Sequence, residues 1–117
     1  MAEGVEGAYE RGLQLVRRGE YFAAHEALED AWRAAEPRER DFFQGLVHVA
    51  VAWYHARVTG RSRACESQLA KAARRLAPYV PNYRGLDVAA LLADVEAARG
   101  RFPDLPSPRL RRARERG

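Results

Sequence analysis

A chain of 117 residues in which 47% are apolar and 31% charged can build one hydrophobic core but not two, and it is too apolar to stay disordered. The net charge of +4 is a modest basic excess that permits only weak attraction to polyanions, and its meaning depends on where it sits. One cysteine, Cys65, excludes an internal disulfide, and no charged segment followed by an apolar stretch and a cleavage site opens the chain, so a reducing cytoplasm is the expected setting.

Basic residues are arginine except for Lys71, and Asn82 is the only asparagine. Such usage suggests a GC-rich genome and a thermophilic origin.

Alanine-rich segments with apolar residues three and four apart, and almost no alternating β-branched runs, predict an all-α fold: a compact bundle of about five helices. A first helix is expected over about Val5 to Arg18, with Tyr9, Leu13 and Val16 on one face and Gly19 as its stop. The second follows over Tyr21 to Ala35, and Pro37 then interrupts. The third runs from Arg38 to Thr59 and ends at Gly60. It is apolar nearly all round, from Phe42 and Phe43 to Trp53, Tyr54 and Val58, which marks it as the buried centre. Gln44, His48, His55 and Arg57 break the apolar run, so it is not a membrane span. A fourth helix covers Ser62 to Leu76, stopped by Pro78 and Pro81, and a fifth Leu86 to Arg99 with Asp87 in its first turn. This gives a single domain over residues 1–100 and a Pro/Arg-rich tail over 101–117.

An internal repeat links the two halves. Gly19, Ala24, Leu28, Ala31 and Pro37 recur 41 residues later as Gly60, Cys65, Leu69, Ala72 and Pro78. Small residues at these positions let two helices approach closely, as in tetratricopeptide (TPR) hairpins, but the period exceeds the usual ~34 residues of that repeat. Two TPR-like helical hairpins, not an array, are expected. Cys65 replaces Ala24 in the second copy and reads as a small buried residue, not a reactive thiol.

The polar residues least at home in a core gather on the second and third helices. At about 100° per residue, Gln44, His48 and His55 fall within about 40° of one another, and His25, Glu29 and Trp32 stack at i, i+4 and i+7. If the stripes face each other, His25, Glu29 and His55 converge with Gln44 and His48 in reach. Two imidazoles and a carboxylate are good ligands for a divalent transition metal, which makes these three the candidate metal set. The stretch from His25 to Glu29 is not the zinc-protease motif, because Glu29 stands where its second histidine would be. The competing and favoured reading is a buried hydrogen-bond network in which Glu29 fixes a histidine tautomer and Trp32 donates its indole N–H. A general acid–base pair of His25 and Glu29 lacks a recognisable nucleophile or oxyanion donor beside it. Glu26, Asp30 and Arg33 lie on the opposite side and read as a solvated face. Trp53 and Tyr54 read as packing residues.

The tail carries Arg109, Arg111, Arg112, Arg114 and Arg116 after three prolines. Clustered arginines bind phosphate, yet Asp104 and Glu115 dilute them and stacking aromatics are lacking beyond Phe102, so nucleic acid is disfavoured and a solvated, frayed end is expected.

The run from Gly19-Glu20-Tyr21-Phe22 through His25-Glu26-Ala27-Leu28-Glu29-Asp30-Ala31-Trp32, then Phe43-Gln44-Gly45 and Trp53-Tyr54-His55, resembles domain of unknown function family 309. Members are small helical proteins, mostly prokaryotic, with the pattern aromatic-x-x-His-Glu-x-x-Glu-x-x-Trp, then Gln-Gly, then Tyr-His before a glycine turn. The resemblance spans about Gly12 to Leu76 and implies that the characteristic polar positions are His25, Glu26, Glu29, Trp32, Gln44 and His55. His48 departs from it, since glutamine is commoner there. No activity comes with the family.

The leading functional expectation is therefore a non-enzymatic helical module that binds a protein partner through a groove between hairpins. The alternative is a metal- or ligand-binding protein, or a hydrolase, centred on His25, Glu29 and His55. A binding module keeps that cluster buried, whereas an enzyme opens it onto a pocket. Self-association is also expected, with Trp53, Tyr79 and Tyr83 as interface candidates.

Overall fold

The computed structural model describes residues 4–114. Arg116 and Glu115 of the expected tail lie outside them. Five helices run in chain order: α1 (Val5–Arg17), α2 (Tyr21–Ala34), α3 (Pro37–Tyr54), α4 (Ser62–Leu76) and α5 (Val88–Ala98). The helix bounds fall close to those expected, with two instructive shifts. Pro37 is the first residue of α3 instead of a break before it, because proline has no N–H to lose at the first helical turn and its φ suits the start. The last turn of the expected third helix, His55–Thr59, widens into a π turn closed by the Gly60 N–H on the His55 carbonyl at 2.9 Å.

The two copies of the repeat are the hairpins α1–α2 and α3–α4. Gly19 and Gly60, at φ +75° and +72°, supply the left-handed residue that ends each first helix. The matched pairs Ala24 and Cys65, Leu28 and Leu69, Ala31 and Ala72 are all fully buried. Burial pushes the Cys65 thiol up to about 11, so it is an inert packing group.

Successive helices pack on one another, which leaves α3 between α2 and α4. Phe42, Phe43, Ala50, Ala52 and Trp53 of α3 have no exposed surface, so Trp53 is not an interface residue. At both hairpins a glycine sets the helix spacing. A Cβ on Gly12 would lie 2.5 Å from Leu28 Cδ2, and one on Gly45 2.7 Å from Leu76 Cγ. No helix among the described residues is long and apolar enough to cross a membrane.

Between α4 and α5 the chain does something the periodicity did not announce. Asn82–Tyr83 (β1) pairs antiparallel with Leu86–Asp87 (β2), and the turn residues Arg84 and Gly85 have φ +48° and +76°. Two successive left-handed residues match the twist of a tight hairpin. The expected start of the fifth helix is thereby taken into a strand, and Asp87 becomes its cap, with Oδ1 accepting the Ala90 N–H at 2.9 Å.

The expected frayed tail is also corrected. Leu105 is 2% exposed and Leu110 is buried with it in the core, which gives the segment an apolar reason to stay. The Trp53 indole N–H donates to the Pro106 carbonyl at 3.0 Å, and Arg57 donates to the Leu105 carbonyl. Arg109 grips Asp94 of α5 with its guanidinium and its backbone N–H. Asp87 N–H reaches the Arg111 carbonyl at 2.9 Å and Ala113 N–H the Gly85 carbonyl at 2.8 Å, so the strap lies along the hairpin edge.

Leu105→Ala should lower stability by about 2–5 kcal/mol in urea denaturation, the usual range for emptying a buried leucine site; a solvated tail would leave the midpoint unchanged. Gly45→Ala should cost about 1–3 kcal/mol by overpacking against Leu76 in the same assay.

Candidate functional site

The seven polar residues singled out in the sequence do not form one cluster. His25 and Glu29, one turn apart on α2, are joined by a contact of 2.9 Å between Nε2 and Oε1. Glu29 also meets Arg33 at 3.1 Å, and Arg33 in turn holds Asp30. Glu26 is exposed. Trp32 is half-buried with the Arg40 guanidinium 5.8 Å from its ring centroid; the indole that donates into the fold is Trp53, not Trp32. Gln44 is half-buried on α3.

His48 is the buried histidine, and its partner is on α4. Its Nδ1 lies 2.6 Å from Gln68 Oε1. Burial holds its proton affinity below the ordinary histidine range, opposed by the Gln68 bond and reinforced by Lys71, Arg75 and Arg74. It is a neutral link between α3 and α4. The buried histidine hydrogen bond is therefore His48–Gln68 across α3 and α4, not the expected network of Glu29 and Trp32 between α2 and α3.

His55 begins the π turn, with Nδ1 2.7 Å from Thr59 Oγ1. Burial, then the charge of Arg61, depress its proton affinity, so its ring is neutral at pH 7. That hydroxyl also accepts the Arg61 N–H at 3.3 Å. Thr59 thus links the His55 ring to the backbone just beyond Gly60.

His25 and His55 do share a place. They line an open depression of about 190 Å³ with Phe22 of α2 and Val51 and Tyr54 of α3. Phe22 stands at its rim, 54% exposed, with ring centroids 5.9 Å from His25 and 5.5 Å from Tyr54. The lining is aromatic and aliphatic except for the two imidazoles. Among the described residues no group of three His, Cys, Asp or Glu side chains is placed to hold a metal ion, so the expected set of His25, Glu29 and His55 is not assembled as one. The reason is that Glu29 turns along its own helix to His25 and Arg33 and not across to α3.

Neither Phe22 nor Val51 was among the site residues expected from the sequence. Sequence reasoning also missed a buried ion pair away from the depression. Glu39, 9% exposed, accepts from Arg84 Nε at 2.7 Å and Nη2 at 3.0 Å, and from the Tyr83 hydroxyl at 3.0 Å. Arg84 reaches Glu6 of α1 at 3.2 Å and lies over the Phe43 ring. Its carbonyl accepts the Tyr9 hydroxyl.

These features define a small helical protein of two packed hairpins, clamped by a β-turn and a returning strap, with an open apolar depression at the end of α3. Residues 9–66 match the family model described as Domain of unknown function (DUF309), and the chain belongs to that family. The matched span contains both walls of the depression. No curated protein and no solved structure matches the chain.

The Arg84 bonds hold the Glu39 carboxyl below the ordinary value of 4.5 against the opposing effect of burial. A folded value below the unfolded one means the pair stabilises the fold above pH 4.5 and that this contribution fades as pH falls through the folded value. Glu39→Gln should remove about 1–3 kcal/mol at neutral pH, the range for losing hydrogen bonds to a charged group, and should flatten the acid limb of the stability–pH curve measured by thermal melts.

Proposed function

We propose that this protein is a non-enzymatic docking module of a reducing cytoplasm, whose depression between α2 and the end of α3 seats an apolar side chain of a protein partner. The observation that carries the reading is the composition of that depression: an exposed phenylalanine, a tyrosine, a valine and two imidazoles, opening to solvent at the point where α3 widens. Apolar pockets with a few polar groups at the mouth are how folded proteins take a partner's anchor residue. TPR-like hairpins use the grooves between their helices in this way.

The opening of His25 and His55 onto a pocket is also what a ligand-binding or hydrolytic site would have. Against that reading, Glu29 is already paired with Arg33, and among the described residues no third metal-ligating side chain joins the two histidines.

The test is binding of the apolar dye anilinonaphthalene sulfonate to the native protein, at concentrations low enough to keep chains apart. Emission should rise on binding. Phe22→Ala, which removes one wall, should weaken the affinity about tenfold, the equivalent of losing part of a phenylalanine's burial. No binding to the native protein would overturn the proposal. So would near-stoichiometric metal in protein purified without chelator that is lost from both His25→Ala and His55→Ala.

A further inference from the structure

The depression is open, apolar and about 190 Å³, which is the size of one six-membered ring with room to tilt, since a cavity of ~150 Å³ accepts benzene. A ring of that size stands on its own rim. Phe22 is 54% exposed, and Val58, one to two turns beyond Val51 and Tyr54 on the α3 side, is 65% exposed. These are two of the three large apolar side chains left in solvent among the described residues.

A charge of each sign stands just beyond the lining of the depression. On the α2 side, Glu26 lies one turn beyond Phe22 on the same helical row, exposed and with no ion pair among the described residues. On the α3 side, Arg61 follows the π turn, exposed, with its charge felt at His55. A hole beside a matching knob, between an acidic and a basic edge, is complementary to itself after a two-fold rotation. Such a rotation sets ring over hole and acid over base twice, and closes without leaving either half free.

We infer that the occupant of the depression is a second copy of this chain, forming a two-fold dimer in which each Phe22 enters the partner's depression and each Glu26 faces the partner's Arg61. This rests on the docking reading above and names its partner. Charge pairs at the edge set the register of such an interface, while the ring supplies its core.

Sedimentation velocity of the full chain across a wide concentration series tests it. The wild type should pass from monomer to dimer mass. Phe22→Glu, at an exposed position that leaves the core intact, should remain monomeric. Glu26→Arg and Arg61→Glu should each weaken the dimer about tenfold, because every contact occurs twice. The double exchange should restore it, which a merely misfolded variant would not do. A wild type that is monomeric throughout overturns the inference, as does a dimer indifferent to Phe22→Glu or a double exchange no tighter than the single variants. Dye binding separates this from failure of the docking reading. A monomer that takes the dye loses the second copy as occupant but keeps the site, and a monomer that takes none loses both.

Discussion

Almost every element of this fold is placed by the need to cover α3. A helix apolar on nearly all sides cannot be satisfied by one neighbour, since each exposed face would forfeit about 25 cal/mol per Å² of buried apolar area. Helix α2 takes one side and α4 the other, and the glycines at the hairpin crossings let them come close. The aromatic residues Tyr79 and Tyr83 close over Phe42 at ring separations of 5.4 and 4.9 Å. The strap shields the far end by taking the Trp53 N–H. Near the last turn before Gly60, Val51 and Tyr54 stay half-buried, and there the depression lies.

Polar groups on such a helix must either be satisfied within the cover or sit where it stops. His48 illustrates the first outcome, being matched by Gln68 across the α3–α4 contact. His55 illustrates the second. The same logic explains the Glu39–Arg84 pair at the other end of α3, where a buried carboxylate is tolerated because a bidentate guanidinium and a phenol surround it.

What could be read from the sequence was whatever repeats or alternates locally. The five helices, the two hairpins and the buried centre follow from apolar spacing, glycine stops and small residues at crossings. The β-turn was hidden because Arg-Gly is not a usual pair for two left-handed residues, and nothing in a helix wheel signals Arg84. The strap was hidden for a different reason: Leu105 and Leu110 are only two apolar residues in a run of prolines and arginines, and their burial depends on a surface built by α1, α3 and α5 together. At the candidate site, the wheel placed His25 and His55 correctly on neighbouring faces but could not show that Glu29 bends along α2. Nor could it show that the space between the histidines is lined by carbon.

The strap has a consequence for how this protein comes into being. Arg17 of α1 holds the Leu110 carbonyl at 2.8 Å, and the Tyr9 hydroxyl holds the Arg84 carbonyl at 3.2 Å, so α1 is completed by residues 93 and 75 positions further along the chain. Such contacts between distant parts of a chain close late. On the ribosome, α1 and α2 can form their hairpin as soon as they emerge. The apolar surface that Leu105 and Leu110 will occupy must wait, open to chaperones, until the segment carrying them has left the tunnel.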